Sequence, residues 1–364
     1  MSLNVRNGWI LSARDDAIVF VGPLLAAATL AAAFAATGSL GAEVPAWAFL
    51  VLVVGCDVAH VYATLFRTYL DPAERRRRPG LLTAIPLAVL SVGVLAYQIS
   101  PLTFWRGLAY VAAFHFVRQP WGWMSYAGRR AGETSRLDRR LDVLAIHAAT
   151  IYPLVWWHGH LPRRFFWFVD GDFATGLPSE AVTAALVAHV ALLGAWVARQ
   201  VTLLATGRPV NLAKWLVLGS TWLAWTAGIV WIDSDLVFTA TNVLAHGVPY
   251  TAVVHRWGRS RFAGERGWVA SLFRPRRLLA YLGVLVGIAF LEEAIWDRLV
   301  WHDHGSIFPS PSIAVGDAVL ALLVPLLAVP QGTHYVLDAF LWRTRKGNPG
   351  LAEALHLDGP PSAS

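Results

Sequence analysis

The sequence predicts an all-α, polytopic transmembrane helix bundle, and three observations predict it. Hydrophobic residues make up 56% of the 364-residue chain and charged residues only 15%, against about 25% in an ordinary soluble domain. The mean hydropathy is +0.50, and the apolar residues fall into stretches long enough to cross a bilayer. The loops between these stretches alternate in charge. We therefore expect one membrane domain over residues 1–346, followed by a short flexible tail at 347–364, which is rich in Gly, Pro and Ser.

Ten apolar stretches approach the roughly 20 residues that a helix needs to span about 30 Å of hydrocarbon. Their limits are 17–37, 46–66, 81–99, 102–118, 141–158, 180–204, 212–232, 235–255, 277–297 and 313–342. The third and fourth are separated only by Ile99-Ser100-Pro101, which predicts either a tight turn or a kink in one long helix. The first stretch is longer than the apolar part of a signal peptide and lacks a small-residue cleavage site, so we interpret it as a helix.

Loop charge predicts the orientation of the bundle, because cytoplasmic loops are enriched in Lys and Arg. The loops after the second, fourth, sixth and eighth stretches, and the segment after the tenth, are basic. The intervening loops are mostly acidic, with Arg163, Arg164 and Arg298 as exceptions. An even number of spans with both termini in the cytoplasm follows, in a bacterial inner membrane. Since these loops account for the net charge of +7, the lipid bilayer rather than nucleic acid is the predicted partner.

Histidine and aspartate residues inside the predicted spans are the candidate functional residues, because ionisable groups are costly in a bilayer. With the orientation above, five spans place such residues roughly 5 to 15 Å below the cytoplasmic boundary. The predicted metal ligands are Asp57, His60, His115, His147, His246, His334 and Asp338. The pairs at 57/60 and 334/338 each share a helix face, so each can supply two ligands or one ligand and its supporting carboxylate. This layer predicts a metal site of the kind that helical bundles build from inward-facing imidazoles and carboxylates.

Each of these histidines also has a structural interpretation, since a lone buried histidine is more often a hydrogen-bonded packing residue than a ligand. This alternative applies most to His147, which lies near Asp142, while His255 is expected at the interface beside Arg256. His189 has no obvious partner on its helix face. Four histidines of the predicted outer side form either a second metal site or an incidental group: His158, His160, His302 and His304.

The type of ligand restricts the metal. Cys56 is the only cysteine, so a thiolate cluster and an intramolecular disulfide are both excluded. Imidazole and carboxylate ligands without sulfur suit non-haem iron, zinc or manganese. Haem is an alternative, because it also uses paired membrane histidines, although it needs two of them facing one porphyrin.

The histidine-rich helices resemble those of the integral-membrane di-iron fatty-acid hydroxylases and desaturases. The likeness lies in His60, His115, His246 and His334, near the predicted cytoplasmic face. Bacterial retinal-forming carotenoid oxygenases are similar in placing His and Asp on several spans. The dense HxxHH boxes of the desaturases are absent, so the likeness covers site character and not a full motif set. The resemblance implies a dinuclear iron centre, a lipid-soluble substrate and a cytoplasmic electron donor.

These residues together predict a membrane-embedded, metal-dependent oxidoreductase, namely an oxygenase, hydroxylase or desaturase acting on a hydrophobic small molecule or lipid. Four further residues are predicted to be catalytic, by supporting the ligands or positioning the substrate: Arg118, Gln119, Asn242 and Tyr335. The alternative is a transporter or channel that uses the same groups as a proton or metal-ion relay, which needs a polar path across the outer half as well. A zinc-dependent hydrolase or lipid transferase is a third possibility.

Overall fold

The computed structural model describes residues 4–309, 311–343, 348, 350–355 and 357, and over these residues the chain is helical. The β structure within this part is one isolated bridge between Val5 and Val210. Ten long helices are α1 Ala13–Ala36, α2 Ala46–Arg67, α3 Pro79–Ile99, α4 Pro101–Arg130, α5 Arg136–Gly159, α6 Ser179–Ala205, α7 Leu212–Trp225 continued by Thr226–Trp231, α8 Asp235–Arg261, α9 Leu278–Trp301 and α10 Asp317–Leu341. Short helices occur at Pro72–Arg77, Trp268–Leu272 and Leu351–Ala354.

Six of the long helices, α1, α2, α3, α6, α9 and α10, are long and apolar enough to cross a membrane. The all-helical prediction is therefore confirmed for the described residues, and these helices indicate an integral membrane protein. The count of about ten spans and the cytoplasmic termini stay predictions. α8 carries buried residues along its whole length, which explains how a central helix can be polar. A helix that is enclosed by protein needs no apolar surface toward lipid.

The break between the third and fourth apolar stretches is a tight turn and not a kink. Ser100 is extended, with φ −168° and ψ 152°, and its hydroxyl accepts a hydrogen bond from the backbone N–H of Thr103. Pro101 occupies the first turn of α4, where its missing N–H costs nothing. The two helices fold back on each other, since the rings of Tyr97 and Phe104 lie 5.7 Å apart.

Helix α2 changes its winding between two of the candidate ligands, Asp57 and His60. Phe49–Val58 is π-helical, and Ala59–Arg67 continues as an ordinary α-helix. A π-helical stretch turns the residues that follow it to a different face, and such stretches are frequent at functional sites. His60 is the second residue of the α-helical part, so its direction depends on this change of winding.

The described part of the C-terminal segment packs against the bundle. Leu351, Leu355 and Leu357 are buried, and the guanidinium of Arg130 donates to the carbonyl oxygen of Leu355 at 3.1 Å. Within the segment predicted as a tail, these leucines bury apolar surface against the bundle. The rest of 347–364 lies outside the described residues.

Candidate metal centre

Four histidines from four helices meet inside the bundle. They are His60 on α2, His115 on α4, His246 on α8 and His334 on α10, and none is more than 5% exposed. One ligand nitrogen from each can be chosen so that all four lie within 4.8 Å of one another. Within the described residues this is the one group of three or more His, Cys, Asp or Glu side chains close enough to share an ion. We call these four residues the histidine cluster.

The four imidazoles form a closed ring of edge-to-face contacts. The ring centroids are 4.7 Å apart for His60 and His246, and 4.8 Å apart for His246 and His115. His115 and His334 are 4.7 Å apart, and His334 and His60 are 4.9 Å apart. A tetrahedral ion with metal–nitrogen bonds of about 2.0–2.1 Å holds its ligand atoms roughly 3.3 Å apart. The cluster therefore has the dimensions of a slightly open four-coordinate site. The mutual contact of the rings also leaves no slot for a porphyrin among them.

Several ring nitrogens of the cluster lack a hydrogen-bond partner in the described part of the chain, as expected of nitrogens that bind a cation. His115 Nε2 and His246 Nε2 lie 3.1 Å apart and face each other. Both ring nitrogens of His60, and Nε2 of His334, have no hydrogen-bond partner among the described residues. An unsatisfied buried polar group costs about 1–3 kcal/mol, so native proteins rarely leave several together. One nitrogen from each histidine lies close enough to the others to share an ion, so the cluster can hold a metal ion. Such an ion would satisfy one of the two His60 nitrogens and Nε2 of His334.

Close packing of α2 against α8 brings two of the ligands together. Gly247 follows His246, and a Cβ built on it would lie 2.6 Å from the carbonyl oxygen of Cys56 and 3.6 Å from the Cβ of His60. Glycine thus permits an approach that any larger residue would prevent. On the other side, Phe116 stacks on the His246 ring with centroids 3.7 Å apart and planes at 8°. This stacking holds the imidazole in one orientation.

The two predicted aspartates flank the histidine cluster. Asp57 Oδ1 lies 3.7 Å from Nδ1 of His60, and Asp338 Oδ1 lies 3.9 Å from Nδ1 of His334. Each carboxylate faces the Nδ1 side of its histidine rather than the group of converging ligand nitrogens. At these distances neither carboxylate forms a direct hydrogen bond with its histidine, so both are close neighbours of the cluster and not direct partners of its rings.

The other predicted site residues divide into those near the cluster and those away from it. Tyr335 is buried, with its ring 5.0 Å from that of His115, and Gln119 Nε2 donates to the backbone oxygen of His246 at 3.3 Å. Asn242 lies one helical turn before His246 and donates to the carbonyl oxygen of Phe238 at 2.9 Å.

The structure does not bring His147 or Arg118 to the cluster. His147 is half-exposed on α5, where its Nδ1 lies 2.7 Å from the carbonyl oxygen of Val143 in its own helix. Arg118 is exposed and lies over the ring of Trp121, 4.5 Å from its centroid. Both residues therefore occupy helix faces that point away from the centre.

The outer histidines are engaged in separate local contacts rather than with one another. His158 bonds to Tyr110, with 2.9 Å between Nε2 and the hydroxyl oxygen, and His160 stacks on Trp156. His304 stacks on Phe49, with ring centroids 3.6 Å apart. Together with His302 they form no ligand group within the described part of the chain.

His189 is a packing residue and does not extend a polar path toward the outer side. Its Nδ1 lies 2.7 Å from the carbonyl oxygen of Ala148, and its Nε2 accepts a hydrogen bond from the indole of Trp222 at 3.2 Å. Both ring nitrogens are therefore occupied. Neither a backbone carbonyl nor an indole N–H passes a proton on, so His189 is not placed as a link in a proton relay.

An apolar cavity of about 480 Å³ lies between α2, α3 and α10 and reaches the histidine cluster. Its inner end is lined by Thr64, Thr333 and His334, and its walls are mainly aliphatic side chains and prolines. Leu87 lines the cavity and is also 58% exposed on the outside of the bundle. The cavity therefore connects the outer surface of α3 with one of the candidate ligands.

No protein-family model, curated protein or solved structure matches the chain. The geometry of the cluster and of the cavity beside it therefore indicates the function.

Several residues that shape the site were missed in the sequence. Thr64 and Tyr250 hydrogen-bond to each other beside His334, and Gly247 sets the helix spacing. A signal for the first two was present, because each stands four residues after a histidine of the cluster, namely His60 and His246. Positions i and i+4 share a helix face.

Proposed function

We propose that the chain is a membrane-embedded, metal-dependent oxygenase that acts on a lipid-soluble substrate. The observation that carries this proposal is the buried histidine cluster at the inner end of an apolar cavity. Ligand pockets typically measure about 300–1,000 Å³ and combine apolar walls with a few polar groups, and the cavity has both properties. Its mouth on the lipid-facing side of α3 suits a substrate that arrives from the bilayer.

One iron ion fits the residues better than two. All four imidazoles belong to a single group, and the carboxylates at 57 and 338 lie behind two of them instead of bridging two metal positions. We therefore revise the dinuclear expectation to a mononuclear centre. Imidazole ligands suit iron, zinc, copper and nickel, and of these iron supports O₂ chemistry at sites that keep open positions. Zinc is the alternative that the same ligands suit, whereas manganese, also expected from the sequence, prefers the carboxylate ligands that this group lacks.

When bound, the iron supplies the redox chemistry by which O₂ reacts with the substrate. Hydroxylation inserts one oxygen atom into a C–H bond, while two electrons and two protons from a reductant convert the other atom to water. Cleavage of a C=C bond takes up both oxygen atoms and needs no reductant. In the first case, we propose that an electron donor reaches the protein from the cytoplasm.

The residues of the chain hold the reaction site in place and keep it apolar. Phe116 covers one face of His246, and Tyr335 lies beside His115. The aliphatic cavity wall excludes water from the side on which the substrate enters. Exclusion of water protects reactive species from side reactions, which is a common requirement for oxygen chemistry.

The test is oxygen incorporation by the purified full chain in lipid nanodiscs, loaded with Fe²⁺ and supplied with ¹⁸O₂ and ascorbate. The probe substrates are β-carotene and an oleoyl phospholipid. We expect ¹⁸O in a product of one of them with the wild type, and none with His246→Ala. If the product is labelled when Fe²⁺ is present and unlabelled when it is left out, the result supports iron as the metal. If neither substrate takes up ¹⁸O although the protein holds the metal, the oxygenase proposal is overturned.

A further inference from the structure

A chain of hydrogen bonds begins at the histidine cluster and is not explained by metal binding alone. His334 Nδ1 lies 2.7 Å from Thr64 Oγ1, which lies 2.8 Å from the hydroxyl oxygen of Tyr250. Tyr250 donates to Asp338 Oδ1 at 2.8 Å, and the indole N–H of Trp342 donates to the same oxygen at 3.2 Å. Thr64 and Tyr250 are 4% and 1% exposed, so water does not compete for these bonds.

The carboxyl group of Asp338, at the far end of the chain, sets the direction of each hydrogen bond. An indole N–H can only donate, so Asp338 Oδ1 accepts from Trp342 as well as from Tyr250. An oxygen that accepts two hydrogen bonds is the unprotonated oxygen of the carboxyl group. The single hydrogen of Tyr250 is therefore committed to Asp338. The Tyr250 oxygen then accepts from Thr64, and the Thr64 oxygen accepts from His334.

We propose that Asp338, Tyr250 and Thr64 are positioning residues that select the Nδ1–H tautomer of His334 and so keep its Nε2 free to bind the metal. This inference rests on the proposed metal site. Nε2 of His334 has no hydrogen-bond partner among the described residues, as a ligand nitrogen requires. A ligating histidine commonly donates its other N–H to a supporting group, which fixes the tautomer and the ring orientation.

His60 lacks an equivalent chain and serves as an internal comparison. Neither of its nitrogens has a side-chain hydrogen-bond partner within the described residues, and the carboxylate of Asp57 is 3.7 Å away, beyond hydrogen-bond distance. The tautomer of His60 is therefore not selected by a bond of this kind. The effect that we propose is specific to His334, whose ring also lines the apolar cavity.

The test replaces the hydroxyl that contacts His334. Thr64→Val keeps the shape of the side chain and leaves Nδ1 without an acceptor, whereas Thr64→Ser keeps the hydroxyl. We expect the affinity of the full chain for Co²⁺, measured by chelator competition in detergent, to fall about 10- to 100-fold in Thr64→Val and to stay near the wild-type value in Thr64→Ser.

A second readout detects the tautomer directly. In metal-free protein labelled with ¹⁵N-histidine, we expect the His334 signal, assigned by its absence in His334→Ala, to show Nδ1–H in the wild type. In Tyr250→Phe the hydroxyl of Thr64 loses its acceptor and can donate to Nδ1, so the signal should shift toward the Nε2–H form. An Nε2–H form of His334 in the wild type, or wild-type Co²⁺ affinity in a folded Thr64→Val, would overturn the inference. Neither readout depends on oxygenase activity, so the proposed function can fail separately.

Discussion

Replacing Leu87 with tryptophan at the mouth of the apolar cavity is expected to lower kcat/KM for a lipid-soluble substrate by about tenfold or more. A misfit of one methylene in an apolar pocket already changes kcat/KM about 10- to 200-fold, and an indole is far larger. Because Leu87 is 58% exposed, the larger ring can be accommodated without disturbing the core. Metal binding should be unchanged, since Leu87 lies on α3, which carries none of the four histidines.

Val92→Trp is the matched control for this prediction. Val92 lies on the same helix, is 65% exposed and does not line the cavity. We expect it to retain the wild-type kcat/KM in the nanodisc assay. Wild-type activity in both tryptophan variants would contradict entry through this cavity. The same loss of activity in both would point to a general effect of tryptophan on α3.

Gly247→Ala is expected to weaken metal binding at least tenfold and to destabilise the fold by about 1–3 kcal/mol. The added methyl group would lie 2.6 Å from the backbone oxygen of Cys56, an atom that cannot rotate away. α2 and α8 must therefore separate beside the cluster. His60 and His246, which these two helices carry, would move apart, and a site that is too loose by about 1 Å loses much of its function.

Gly194→Ala shows what the same change does where space is free. Gly194 lies inside α6, and a Cβ there would meet nothing within 4 Å. Alanine is favoured over glycine in a helix by about 1 kcal/mol, so this variant should be as stable as the wild type or slightly more stable. Metal affinity and the midpoint of thermal unfolding in detergent check both variants. Wild-type metal affinity in Gly247→Ala would contradict the role of this helix contact.

The helices could be predicted from the sequence where their apolar runs end abruptly. The third stretch, 81–99, agrees with α3 within two residues, because Pro101 and Ser100 mark its end. The fourth stretch, 102–118, falls well short of α4, which runs to Arg130. Hydropathy detects only the part of a helix that is uniformly apolar, whereas the buried second half of α4 contains Trp, Tyr and Gly.

Which helices carry the clustered histidines was predictable, but the direction in which each side chain points was not. Helix length and loop charge predicted one layer that includes His60, His115, His246 and His334, and the structure brings these four together. His147 was predicted in the same layer, yet it lies on a face of α5 that turns away from the cluster. The rotation of a helix about its axis depends on its neighbours, and for α2 also on a π-helical stretch, so a single sequence does not determine it.

For the aspartates, the sequence predicts the helix face that they share with a histidine but not their role at the metal site. The spacing at 57/60 and 334/338 predicted that each carboxylate shares a face with a histidine, and the structure places them 3.7 and 3.9 Å from the Nδ1 atoms. Whether a carboxylate binds the metal or supports a ligand depends on about 2 Å of position, which helical periodicity does not resolve.

Metal content of the purified chain tests the central claim most directly. Elemental analysis should find close to one redox-active metal ion per wild-type chain, and little metal in each single alanine variant of the histidine cluster, while His147→Ala keeps the wild-type value. We expect this contrast because His147 is the one predicted histidine ligand that lies outside the cluster. A wild-type chain that binds no stoichiometric metal, or equal loss in His147→Ala and His334→Ala, would contradict it.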